Sequence, residues 1–230
     1  MADKITTAEL IRQLAARERV MVLGGFAVIA HGHSRPTYDA DVWLDPLLPV
    51  QEWCEAIRRC FSVYPGFQFV EIGSWRAFEW DEFPLIIERD GVIRIMGAHQ
   101  PLDAFRHPNE LDAGLFDEVW ERARPLEDGT RLPDAIDLLV TKQLTGREKD
   151  RMDILFLEQK AETESLKTLH SADSATALAL IERFLTPKVA AAACDHADPA
   201  VRQKGRQYLK ELADAGDPFA VDLLRERSPA

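Results

Sequence analysis

The chain has 230 residues, 46% of them hydrophobic and 29% charged, with a formal net charge of −11. That composition excludes a disordered chain and suits one large globular domain, or one moderate domain with a helical extension. So acidic a surface repels phosphate backbones at long range, which argues against broad, sequence-independent DNA binding; a nucleotide, or one nucleic-acid end, can still bind where divalent metals carry local positive charge.

Ile5 to Arg19 reads as an amphipathic helix with Thr7 as its N-cap and a stripe of Leu10, Ile11, Leu14 and Ala15. Val20 to Leu23 is a short apolar run stopped by Gly24-Gly25, as in a buried strand, and Phe26 to His31 starts a second helix. Tyr38 to Leu44 reads as a strand, and Leu48 to Phe61 as a helix. Phe83 to Met96 reads as a hairpin turned at Arg89-Asp90-Gly91, and Leu102 to Phe105 as a further strand. Beyond Phe116 the pattern is helical: Phe116 to Ala123, a turn at Asp128-Gly129, a helix from Pro133 to Leu144, an interruption at Gly146, and a continuation from Lys149 to Leu157. From Glu162 onward, three or four short amphipathic helices follow, with Pro187, Pro199 and Pro218 near their starts; the segment from His196 to Leu224 is loosely similar to one HEAT-type helix pair. The expected fold class is α+β, a mixed sheet with flanking helices followed by an all-helical C-terminal region. The boundaries fall at 1–125, 126–160 and 161–230.

Cys54, Cys60 and Cys194 are odd in number and lack a Cys-x-x-Cys spacing, so neither a disulfide framework nor a thiolate zinc site is indicated. The polar start at Met1-Ala2-Asp3-Lys4 and the absence of a long apolar run point to a cytoplasmic protein with no membrane partner.

The chemistry is concentrated between Gly24 and Asp41. Alternation along an extended run puts Arg35, Thr37, Asp39, Asp41 and Trp43 on one face. Aspartate is depleted in strands, and two at adjacent same-face positions can reach one Mg²⁺ or bracket two. A strand that ends in Gly-Gly and leads into a helix leaves backbone N–H groups free to meet a phosphate. Either feature alone is met by an ordinary charged edge strand or a plain turn; together, at this spacing, they favour a nucleotide site. Gly-x-Gly-x-x-Gly does not follow the first strand, which disfavours a dinucleotide fold. His31 and His33 have no third ligand nearby and read as loop or helix-end residues.

This segment resembles the DNA polymerase β-type nucleotidyltransferase superfamily, whose signature is a hydrophobic residue, Gly, then Gly or Ser, about ten residues, and an acid-hydrophobic-acid strand. The pattern Gly24-Gly25, Ala27, His31-Gly32, Arg35, Thr37, Asp39 and Asp41 is similar to its small prokaryotic branch, which includes abortive-infection-type nucleotidyltransferase toxins. Ala40 is small where the family often has a bulkier apolar residue. The resemblance resumes at Leu132-Pro133, Asp137-Leu138-Leu139, Lys142, Gly146-Arg147, Lys149-Asp150 and Asp153. It covers about residues 5 to 158.

The resemblance implies an Mg²⁺-dependent enzyme that moves a nucleotidyl group from a nucleoside triphosphate to a hydroxyl acceptor: an RNA end, a protein or a small molecule. It implies metal-binding catalytic carboxylates at Asp39, Asp41 and a third position. Asp103, in Leu102-Asp103-Ala104-Phe105, is the best match for the third, and Glu88 is its competitor. Gly24, Gly25, Arg35, Thr37, Lys142, Arg147, Lys149 and Asp150 would complete the nucleotide site, with Lys142 aimed at the phosphates. Lys142, Lys149, Asp150 and Asp153 would share a face if the stretch stayed helical. The alternative is an inactive fold kept as a binding or antitoxin-like protein.

Overall fold

The computed structural model describes residues 5–62, 64, 66–108 and 114–227; the polar start Met1 to Lys4 lies outside them. The chain divides into two compact units, Met1–Ile154 and Leu155–Ala230.

The first unit is α+β. Its elements are α1 (Thr7–Ala15), β1 (Val20–Leu23), α2 (Gly24–Ala30), β2 (Ala40–Leu44), α3 (Val50–Phe61), β3 (Gln68–Val70), β4 (Ala77–Phe78), α4 (Phe83–Asp90), β5 (Val92–Met96), β6 (Leu102–Phe105), α5 (Leu115–Arg122), β7 (Arg124–Pro125), β8 (Arg131–Leu132) and α6 (Ala135–Thr145). The strands form one mixed open sheet in the order β4-β3-β5-β6-β2-β1-β8-β7. β2 runs parallel to β6 and antiparallel to β1, and β5 runs antiparallel to β6.

Alternation sorts the two faces. Ala40, Val42 and Leu44 of β2, Ile93 and Ile95 of β5, and Leu102 and Ala104 of β6 join one core cluster with Leu10 and Leu14 of α1, Trp53, Ile57 and Phe61 of α3, and Phe83, Ile86 and Ile87 of α4. Each large side chain fully buried there contributes roughly 1.5–3 kcal/mol. Asp41, Asp103 and Arg94 occupy the intervening positions and therefore the opposite face. Trp43 shares that face but is buried edge-on against Phe116 of α5, with ring centroids 5.0 Å apart.

Three sequence expectations change. Thr6, not Thr7, caps α1: its hydroxyl accepts from the Glu9 N–H, while the Thr7 hydroxyl donates to the Gln100 carbonyl. Phe83 to Asp90 is a helix and not the first arm of a hairpin. It carries Pro84 in its first turn and buries Phe83, Ile86 and Ile87, an i, i+3, i+4 set, and Gly91 ends it in the left-handed conformation (φ 67°). The helix from Pro133 is capped one residue later by Asp134, which accepts from the Asp137 N–H, and ends at Gly146. Asp128-Gly129 does turn the chain, within the short β7–β8 hairpin that the sequence did not reveal.

A 3-10 turn (Glu148–Asp150) leads into α7 (Arg151–Ser171), which runs without a break through Glu162. The second unit continues with α8 (Ser174–Arg183), α9 (Pro187–Cys194), α10 (Pro199–Asp214) and α11 (Pro218–Arg227). Asp173, Thr186 and Asp198 cap α8, α9 and α10, and Pro187 and Pro199 stand in the first turns of the last two, where a missing N–H costs nothing. Leu169, Ala177, Ile181, Val189, Ala193 and Val201 pack together, as do Ala190, Cys194, Leu209 and Ala220. α9 and α10 approach at Gly205, where a β-carbon would stand 2.8 Å from the Ala193 methyl and 2.9 Å from the Ala190 carbonyl oxygen. The three cysteines are free and buried. Among the described residues no helix is long and apolar enough to cross a membrane.

Candidate active site

Strand register builds a charged row across the sheet. Leu23 of β1 pairs with Asp41 of β2, Asp41 with Asp103 of β6, and Asp103 with Arg94 of β5. Neighbouring strands stand about 4.8 Å apart, so Asp41 and Asp103 are adjacent on one face. Asp39 precedes β2 and joins them through Arg94. The Arg94 guanidinium grips Asp103 with two bonds, Nε to Oδ1 at 2.6 Å and Nη2 to Oδ2 at 2.7 Å, and Nη2 also reaches Asp39 Oδ2 at 3.1 Å. The bidentate geometry makes this the strongest kind of side-chain ion pair. Glu88, the other candidate for a third carboxylate, is exposed on α4.

Gly24 and Gly25 abut this row. A β-carbon on Gly24 would fall 1.7 Å from Asp41 Oδ2, and Gly24 has φ +56°. One on Gly25 would fall 2.4 Å from Thr37 Oγ1 and 3.0 Å from Arg35 Nη2. Both positions need glycine because side chains of the acidic segment fill the space. The start of α2 has no side-chain cap. Thr37 turns its hydroxyl to the Asp39 carbonyl at 3.1 Å. The Arg35 Nε is buried without a hydrogen-bond partner, while its Nη2 donates to Asp153 at 2.8 Å.

Through Asp153, Arg35 joins an ion network. Lys142 is buried, its Nζ 3.1 Å from both Asp150 Oδ1 and Asp153 Oδ2. Arg147 and Thr145 also bond Asp150, at 2.7 and 2.9 Å. These residues do not meet on one helix face. α6 stops at Gly146, and the 3-10 turn folds Asp150 back onto Lys142. Lys149 stays exposed. Lys142, expected to aim at phosphates, has its ammonium engaged by two carboxylates. His31 bonds the Pro133 carbonyl through Nε2 at 2.8 Å, and His33 lies 4.0 Å from Asp153.

Electrostatics single out Asp41. Burial pushes its carboxyl up to about 7; Asp103 and Asp39 push the same way, while Lys142 and Arg147 pull it down. Asp41 nonetheless keeps part of its surface open. Burial also raises Asp103, against the pull of Arg94, and the charge of Lys149 reaches it as well. Burial opposes ionisation of Asp150 too, but its bonds to Arg147, Lys142 and Thr145 outweigh that and lower its pKa.

The donor set suits Mg²⁺, which prefers oxygen ligands. No hydrogen bond or ion pair among the described residues engages the Asp41 carboxylate, so its oxygens are free to ligate. As placed, no three His, Cys, Asp or Glu side chains among the described residues form a metal-ready group. Asp39 and Asp103 are bridged instead by the Arg94 guanidinium. Arg94 escaped the sequence reading because it was assigned to a hairpin arm; its signal was a lone cation between Ile93 and Ile95. Compared with models of known protein families, and with curated protein sequences, the chain gives no match.

Proposed function

We propose that the protein is an Mg²⁺-dependent nucleotidyltransferase with a nucleotidyltransferase-type fold, acting on a nucleoside triphosphate and a hydroxyl acceptor. The observation that carries this reading is the pairing of Asp41 with Asp103 on adjacent strands, with Asp39 beside them and the Gly24 backbone packed on Asp41. Asp39, Asp41 and Asp103 would hold the metal, and the Gly24-Gly25 backbone with Arg35, Arg147 and Lys149 would face the phosphates. Bound Mg²⁺ would supply charge neutralisation at the phosphates and favour the ionised acceptor. The acceptor oxygen bonds to the α-phosphorus as the bond to pyrophosphate breaks, and the hydroxyl proton passes to a carboxylate, for which Asp103 is the candidate. Lys142 holds Asp150 and Asp153 in place, and Asp153 in turn orients Arg35.

The test is incubation with each labelled nucleoside triphosphate, Mg²⁺ and cell extract. Label should move to an acceptor with wild type and not with Asp41→Asn. No transfer by wild type to any acceptor, with triphosphate binding intact, would favour the second reading: a nucleotide-binding or antitoxin-like module whose carboxylates are neutralised by Arg94 instead of a metal.

A further inference from the structure

The turn between β3 and β4 presents Trp75, which is 64% exposed and has φ 59°. It is the one non-glycine residue among those described with positive φ. A bulky side chain there costs roughly 1–3 kcal/mol of backbone strain, which persists only where the surroundings enforce it. They do. The half of the turn that precedes Trp75 is anchored by Glu71, a buried carboxylate bonded by the Ser74 hydroxyl at 2.7 Å and by Arg76, with Arg89 3.4 Å away. The Trp75 N–H donates to the Glu71 carbonyl at 3.1 Å, and the Glu71 N–H to the Arg76 carbonyl at 3.0 Å.

A tryptophan so exposed adds little to the core, and a glycine would fit the turn without strain. Its position supplies another reason. The ring lies against the Arg94 guanidinium, centroid to Cζ 5.0 Å. Arg94 is the side chain that grips Asp103 and Asp39. One side chain thus separates an open aromatic face from the carboxylate row. From Asp41 to Arg94 is two strand steps, roughly 10 Å, a span that a ribose and its phosphates cover.

We infer that Trp75 is the stacking platform for the base of the nucleoside triphosphate, with Arg94 packed beside it. The inference rests on the nucleotidyltransferase reading and adds a base subsite to it. Aromatic stacking accepts any base, because every base has a π-face; the site therefore selects a nucleotide over a bare polyphosphate without selecting among bases.

Calorimetric titration of the full chain with Mg²⁺ and each of the four ribonucleoside triphosphates, and separately with inorganic tripolyphosphate, tests it. Trp75→Ala should weaken all four nucleotides about ten- to a hundredfold and leave tripolyphosphate unchanged, and Trp75→Phe should restore most of the loss. Trp75→Gly should lose nucleotide affinity without a fall in melting temperature, because it relieves the strained φ. Equal weakening of tripolyphosphate, or unchanged nucleotide affinity in Trp75→Ala, overturns the subsite while leaving the enzyme reading intact. Weakened binding of a single-stranded oligonucleotide with nucleotide affinity unchanged would assign the ring to the acceptor and also overturn it. If wild type binds tripolyphosphate and nucleotides equally, the base subsite falls; if it binds neither, both readings fall.

Discussion

At the scale of single residues, Asp41 sets the pH response. In the native state its proton is held up to about pH 7, whereas the unfolded chain releases it near pH 4. Between those values the native state binds more protons, so its stability falls as pH rises through the window. Asp41→Asn removes the titration. The metal-free variant should match wild type only below about pH 4, already exceed it near pH 5, and exceed it at pH 8 by about 4 kcal/mol at most given the shift, less in proportion to the surface Asp41 keeps open. Urea melts from about pH 3.5 to 8 measure this; parallel curves for the two proteins would show that Asp41 does not carry a raised pKa. Arg94 poses the converse case. Arg94→Gln strips a largely buried carboxylate, Asp103, of its cation, and should cost about 3–5 kcal/mol at pH 8. If Arg94 holds the place of a metal, Mg²⁺ should raise the melting temperature of this variant more than that of wild type. An equal or smaller rise would mean that guanidinium and metal do not compete.

At the scale of elements, the β1–α2 turn and the α6–α7 turn frame the site, and each makes a prediction. Gly24→Ala forces a methyl into the Asp41 carboxylate and a left-handed φ on alanine, so it should destabilise by about 3 kcal/mol or more. Gly24→Ala combined with Asp41→Ala should cost less than the sum of the two, since the methyl then has room; strict additivity in a double-mutant cycle would deny the contact. Lys142→Met leaves Asp150 and Asp153 without a buried cation and should lose about 3–5 kcal/mol in denaturant melts. Loss of nucleotide affinity in that variant would therefore report on folding as much as on phosphate contact. The sequence made much of this frame legible. Val20 to Leu23, Leu102 to Phe105 and the helix ending at Phe61 carry strong apolar patterns, and β2 was displaced only at its start. Phe83 to Asp90 was misread because Asp90-Gly91 signals a left-handed residue, and a hairpin turn and a helix C-terminus both ask for one. Arg94 and Trp75 were invisible for a different reason: their meaning lies in register between strands distant in sequence, which local periodicity does not encode.

At the scale of the whole molecule, the chain divides into compact units after Ile154, and within the second the Glu162 carboxylate of α7 bonds Thr186 and Lys188. Apolar residues of α7 to α11 meet one another in two clusters, around Ile181 and around Leu209. A fragment starting at Arg151 should accordingly fold as a helical unit with a cooperative thermal transition in circular dichroism. It is small, so its margin is thin, and a gradual, non-cooperative melt would mean that its core is incomplete. Gly205 then bears on the history of this half of the chain. With the backbone of one helix seated on the methyls of the other, a substitution there has no neutral route: a side chain at 205 must be met by a smaller one at Ala193, or by a parting of α9 from α10. Lineages descended from a common ancestor should hold glycine at this position even where the surrounding surface has drifted beyond recognition.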